Sequence, residues 1–160
     1  MLPIRTILHP TDFSDNSGDA FHFACALARD YGAKLVVLHV YSTPVLFGDS
    51  MSALPLDVPR EELLEMLNNI KPDDPAIAIE RLLVVGEPAD EIRHAAGARH
   101  ADLIVMGTHG RGGLSRLVMG SVAENVSRYA DCPVLTLRTK LAAVQSREPR
   151  VESPRPGAEG

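Results

Sequence analysis

Short apolar runs alternate with helix-patterned segments along most of this chain, and that alternation limits the fold more than any other feature. "IRTILHP" and "AKLVVLHVY" are rich in β-branched and apolar residues. Between them, "SDNSGDAFHFACALARDYG" places Ala20, Phe23, Ala24, Leu27, Ala28 and Tyr31 at helical spacing. Capping residue types around Ser14 to Ser17 open that helix and Gly32 closes it. The order then recurs. "PREELLEMLNNI" carries Leu63, Leu64, Leu67 and Ile70 on one helical face, "AIAIERLLVV" reads as a strand, "PADEIRHAAGARH" as a helix starting at Pro88, and "DLIVMG" as a strand. A last helix, Ser121 to about Ala130, precedes the strand "PVLTLR". Parallel neighbours need crossover connections, so five strands alternating with four helices predict one doubly wound α/β domain, with a mainly parallel sheet covered by helices on both faces. The strands are continuous apolar runs, which suits burial on both sides.

A chain of 160 residues with 45% apolar content is the size and composition of one ordinary globular domain. The domain is expected over residues 1–139, and 140–160, with three prolines and mixed charge, is expected to be a flexible tail. A formal charge of −5 without a Lys/Arg-rich block argues against a nucleic-acid surface. No window has membrane-spanning length, so a cytoplasmic protein that meets no membrane is the simplest expectation. Cys25 and Cys132 form no CxxC pair, and both read as small apolar residues. "STPVLFGDSMSALPLDV" is a long connection of the kind that is either a lid or mobile.

"MGTHGRGGLSRLVMGS", Met106 to Ser121, holds five glycines directly after an apolar strand and directly before a helix. In an open parallel sheet the ligand crevice lies beyond the carboxyl ends of the strands, where strand order reverses. If the first and fourth strands are neighbours, Pro10, Thr11 and Asp12 share one crevice with Met106 and Gly107. Gly107, Gly110, Gly112 and Gly113 would then expose backbone N–H groups, while Gly120 and Ser121 open a helix whose N-terminus favours an anion. The competing reading requires no ligand: Ser121 and Glu124 spell S-x-x-E, a capping box, and Gly112-Gly113 makes a turn. Asp12 likewise has two roles that can coexist, ligand contact and Asx-turn or cap residue.

The spacing of Gly107, Gly110, Gly120 and Ser121 resembles the G-x2-G-x9-G-(S/T) signature of the universal stress protein family. The likeness runs over roughly residues 2 to 138, through "ILHPTDFSDNS", "VVLHV", "VVGEPADEI" and "GSVAENVSRYADCPVLTLR". It implies a Rossmann-like fold akin to the adenine nucleotide alpha hydrolases, and an adenine nucleotide (ATP, or AMP or ADP) with Mg²⁺ as its expected companion. On that resemblance Pro10, Thr11, Asp12 and the backbone near Val40 lie at the base, and Met106 and Gly107 near the ribose. Gly110, Gly120, Ser121 and Val122 lie around the phosphates. Within the same loop, Arg111 reads as either a phosphate ligand or a solvated side chain, and His109 as either a contact to the terminal phosphate or an exposed loop histidine. Ala123 stands where some relatives carry a hydroxyl, which removes one phosphate contact. A homodimer joined through the last strand, Pro133 to Arg138, is also implied.

His9 and His39 lie on neighbouring strands, but no further ligands follow at metal-binding spacing, and they read as strand histidines. His94 and His100 read as facing water. Neither a Walker A loop nor a dinucleotide fingerprint is present. The third strand ends "VVGEP" without the Asp of a receiver domain, "HPTDFSDN" has neither a Ser-Gly-Gly loop nor His-x-Gly-His, and no G-x-S-x-G elbow occurs. The expected function is a dimeric nucleotide-binding module that regulates a stress response. The alternatives are a slow ATPase or adenylate-handling enzyme, and a scaffold dimer that binds no nucleotide.

Overall fold

The computed structural model describes residues 3–41, 58–108 and 119–138. In chain order the described elements are β1 (Thr6–Pro10), α1 (Asp15–Tyr31), β2 (Lys34–Tyr41), α2 (Arg60–Asn69), β3 (Ile79–Val85), α3 (Pro88–Ala98), β4 (Leu103–Gly107), α4 (Ser121–Tyr129) and β5 (Val134–Leu137). The strands form one sheet in the order β3-β2-β1-β4-β5, and every pairing is parallel. The long connection 42–57 and the tail from 139 onward lie outside the described residues.

Alternate side chains of each central strand enter opposite layers. Ile7, Leu35, Val37 and Val105 pack with Phe21, Ala24 and Ala28 of α1 and Leu67 of α2. Leu8, Val36, Leu38, Ile104 and Met106 pack with Ala89, Ile92 and Ala96 of α3 and with Ala123 and Val126 of α4. Burial on both faces explains why these strands read as unbroken apolar runs.

Local chemistry sets the helix ends. Ser14 caps α1, its hydroxyl oxygen accepting from the Ser17 N–H at 3.3 Å, and Gly32 closes the helix at φ 63°, where a side chain would be strained. Pro88 takes the first position of α3, where its missing N–H costs nothing. The face of α1 is rotated from the expected one. Ser17, Ala20, Phe21, Ala24 and Ala28 are buried, Phe23 and Leu27 sit on its flanks, and Tyr31 is 48% exposed. Small residues every three or four positions let the helix lie close against the sheet, which turns the larger Phe23 and Leu27 aside. β3 begins at Ile79 rather than Ala76 and is half-buried along most of its length, as an edge strand carrying Glu80 and Arg81 must be.

Candidate functional site

β1 stands between β2 and β4, so chain order reverses at β1 and the carboxyl ends of β1 and β4 flank the switch point. The β1·β4 ladder ends at Leu8↔Ile104 although the strands run on to Pro10 and Gly107. Pro10 has no N–H with which to continue it. The Val105 carbonyl is instead taken by His9 Nδ1 at 2.9 Å, which must donate because a carbonyl only accepts. His9 is fully buried, its Nε2 finds no partner among the described residues, and burial pulls its pKa down to about 4.

The turn after β1 is held from every side. Thr11 N–H donates to Leu38 O at 2.8 Å, and His39 Nδ1 donates to Thr11 O at 2.7 Å. Thr11 Oγ1 accepts from the Ser17 hydroxyl at 2.6 Å and from Phe13 N–H at 3.1 Å. Asp12 Oδ1 accepts from Ser14 N–H at 3.0 Å and from the Ser14 hydroxyl at 2.5 Å. Asp12 is therefore an Asx-turn residue, and the cap itself is Ser14. Phe13 sits at φ 63°, a left-handed conformation that costs a non-glycine residue about 1 kcal/mol or more. Its ring lies 4.4 Å from that of His39, centroid to centroid.

Across the switch point, Met106 is buried in the α3/α4 layer and Gly107 is pressed by α1: a Cβ there would meet the Asn16 carbonyl oxygen at 3.2 Å. Packing alone therefore accounts for Gly107. Gly120 caps α4 at φ −63°, ψ 150°, a conformation open to any residue. Its N–H donates to Thr108 O at 2.7 Å, so this group is already bonded. Thr108 in turn donates from N–H to Leu137 O at 2.9 Å and from Oγ1 to the same oxygen at 3.3 Å.

The Ser121/Glu124 capping box does not form. Ser121 is the first helical residue, not the cap, the cap residue Gly120 makes no side-chain bond to the helix start, and the Glu124 carboxylate pairs with Arg128 at 2.8 Å. Glycine carries no group to satisfy the first-turn N–H groups, so those of Ser121 and Val122 have no intrahelical acceptor.

Pro10, Thr11, Asp12, Val40, Met106, Gly107, Gly120, Ser121 and Val122 thus stand at the carboxyl ends of β1, β2 and β4 or at the α4 N-terminus. His109, Gly110 and Arg111 lie outside the described residues, as do Gly112 and Gly113. Val40 and Val122 turn half-buried side chains into the α3/α4 layer. The expectations from sequence named neither Thr108 nor the Phe13/His39 contact, and recognised Ser14 and Ser17 only as helix-start types. The polar run "TDFSDNS" is the signal for the Ser14 and Ser17 bonds, whereas the Thr108 bonds depend on long-range pairing. Among the described residues no group of three or more His, Cys, Asp or Glu side chains could hold a metal ion, and no described helix is long and apolar enough to cross a membrane.

Known proteins share this arrangement. The sequence model of the universal stress protein family matches residues 3–138. A universal stress protein of Methanocaldococcus jannaschii is 35% identical over 139 residues, covering 84% of this chain and 82% of the relative. The crystal structure of a universal stress protein in complex with cAMP is similar with a TM-score of 0.65 at 28% identity, covering 86% of this chain and 99% of that one. The universal stress protein of Archaeoglobus fulgidus in complex with dAMP has a TM-score of 0.54 at 25% identity, over 85% of this chain and 98% of that one. With the family's sequence pattern running from the first strand to the last, and its fold in five parallel strands about one switch point, this chain belongs to the universal stress protein family.

Proposed function

We propose that the protein binds an adenine nucleotide, ATP or its mono- and diphosphate relatives, in the crevice between the ends of β1 and β4. The observation that carries this reading is the start of α4, a helix end at the switch point whose cap, Gly120, has no side chain to bond its first N–H groups. Such an end attracts a phosphate through its N–H groups and its dipole. Asp12, held at the end of β1, takes the base end together with Pro10, Thr11 and the Val40 backbone. The backbone at Met106 and Gly107 borders the ribose. Ser121 and Val122 meet the phosphates, joined by His109, Gly110 and Arg111, and Gly120 leaves them room. The cAMP and dAMP complexes of similar proteins support an adenine ligand. Mg²⁺ bound with it would take its oxygens from the phosphates and water, because the described residues offer no carboxylate cluster.

Two copies join through β5, an edge strand, and the nucleotide-bound state of this dimer signals to a partner in a cytoplasmic stress response. The test is mass spectrometry of the small molecules released when purified protein is denatured. An adenine nucleotide near one per chain is expected. Protein that neither carries one nor takes up added ATP would overturn the reading.

A further inference from the structure

Ser14 is joined to Asp12 more closely than a helix cap requires. Its N–H and its hydroxyl both donate to the same carboxylate oxygen, at 3.0 and 2.5 Å, while the hydroxyl oxygen also accepts from Ser17 N–H at 3.3 Å. The Ser17 hydroxyl continues the chain to Thr11 Oγ1 at 2.6 Å, and Thr11 is pinned to β2 through Leu38 and His39. Two donors on one oxygen fix the rotation of the carboxylate, and the Ser17 and Thr11 contacts fix the donors. The orientation of Asp12 is thus built into the join between the sheet and α1.

We propose that Ser14 is a positioning residue for base recognition, orienting the Asp12 carboxylate so that adenine is accepted in preference to guanine. The inference rests on the adenine-nucleotide reading above. An ionised carboxylate only accepts hydrogen bonds. Adenine offers an amino donor at its 6-position, where guanine presents a carbonyl oxygen that a carboxylate repels. Discrimination depends on the carboxylate being held at that edge, because a freely rotating one can turn toward the ring N–H and 2-amino donors of guanine. Ser14 supplies the hold.

The experiment measures dissociation constants for ATP and for GTP, with the melting temperature, in wild type, Ser14→Gly, Ser14→Asp and Ser14→Thr. Glycine at an N-cap costs only a few tenths of a kcal/mol relative to serine, and aspartate caps as well as serine does. Both remove the hydroxyl donor, and Ser14→Gly does so without bringing a second carboxylate against Asp12, so a role in capping alone would leave the nucleotide preference of Ser14→Gly unchanged. The preference for ATP is expected to fall about tenfold in both, in line with the loss of one charge-assisted hydrogen bond. Ser14→Thr, which keeps donor and cap, retains it. A folded Ser14→Gly or Ser14→Asp protein with the wild-type ratio overturns the inference while the nucleotide reading stands, and so does a folded Ser14→Thr that loses it or a wild type without preference. Wild-type protein that binds neither nucleotide overturns both.

Discussion

At the scale of single residues, the fully buried His9 ring makes the folded state sensitive to acid. Burial dominates and lowers its pKa to about 4, with the bond to Val105 O and the charge of Asp12 opposing. The unfolded chain binds the proton near pH 6.5, so between about pH 6.5 and 4 the unfolded state holds more protons. Stability is complete above that window and falls as pH drops through it, by about 3 kcal/mol from a shift of this size. Urea midpoints measured from pH 7 to 4.5 should therefore decline in wild type and stay nearly level in His9→Leu, whatever that variant's overall stability. Equal declines would remove His9 as the cause. Asp102, held below its ordinary value by the Arg5 and Thr6 N–H groups, and Glu80, held down chiefly by Lys34, lose their stabilisation only at lower pH.

At the scale of elements, order and type were legible in the sequence because hydrophobic period and cap chemistry are local properties. Gly32 and Pro88 sit where their backbone preferences place them. What local pattern could not supply was the rotation of α1, set by how closely its alanines approach the sheet, or the reason for Gly107, set by an Asn16 carbonyl on another element. The capping box failed for a related reason. The helix begins one residue earlier than the motif requires, at Ser121 itself, with the preceding glycine bonded to Thr108.

β5 carries its own expectation. Pro133 O and Leu137 O accept from β4 and the segment after it, and β-strand alternation turns the N–H and C=O of Val134 and Thr136 toward the free edge. Leu135 and Leu137 pack against the α1-side core, so lysine at either would disturb the fold together with any interface. Thr136→Pro removes one edge donor where an edge strand tolerates proline. It is expected to convert a dimer to monomer by sedimentation at micromolar concentration, with the helical circular dichroism retained. A dimer that persists would place the interface elsewhere.

At the scale of the whole molecule, the function proposed above is one of holding a nucleotide rather than cleaving it. Phosphoryl transfer needs positioned charge and a group that orients the attacking water. No carboxylate occurs between Gly107 and Val122, and Asp12 belongs to the opposite, base end of the proposed ligand. Backbone donors that bind ground and transition states alike give no rate enhancement. Hydrolysis slower than about one turnover per minute is expected, against an ordinary enzyme median of about 10 per second, and unchanged in His109→Ala. Phosphate release at the ordinary rate would make the protein an enzyme. The most direct measurement of the site is thermal unfolding of wild type and Gly120→Val with and without ATP. The backbone angles at Gly120 suit any residue, so the variant should fold, while the branched side chain would occupy the space that the proposed phosphate takes against α4. ATP at about a hundredfold its dissociation constant should stabilise wild type by about 2.7 kcal/mol and leave Gly120→Val unmoved; equal shifts in the two proteins would contradict a nucleotide seated on this helix end.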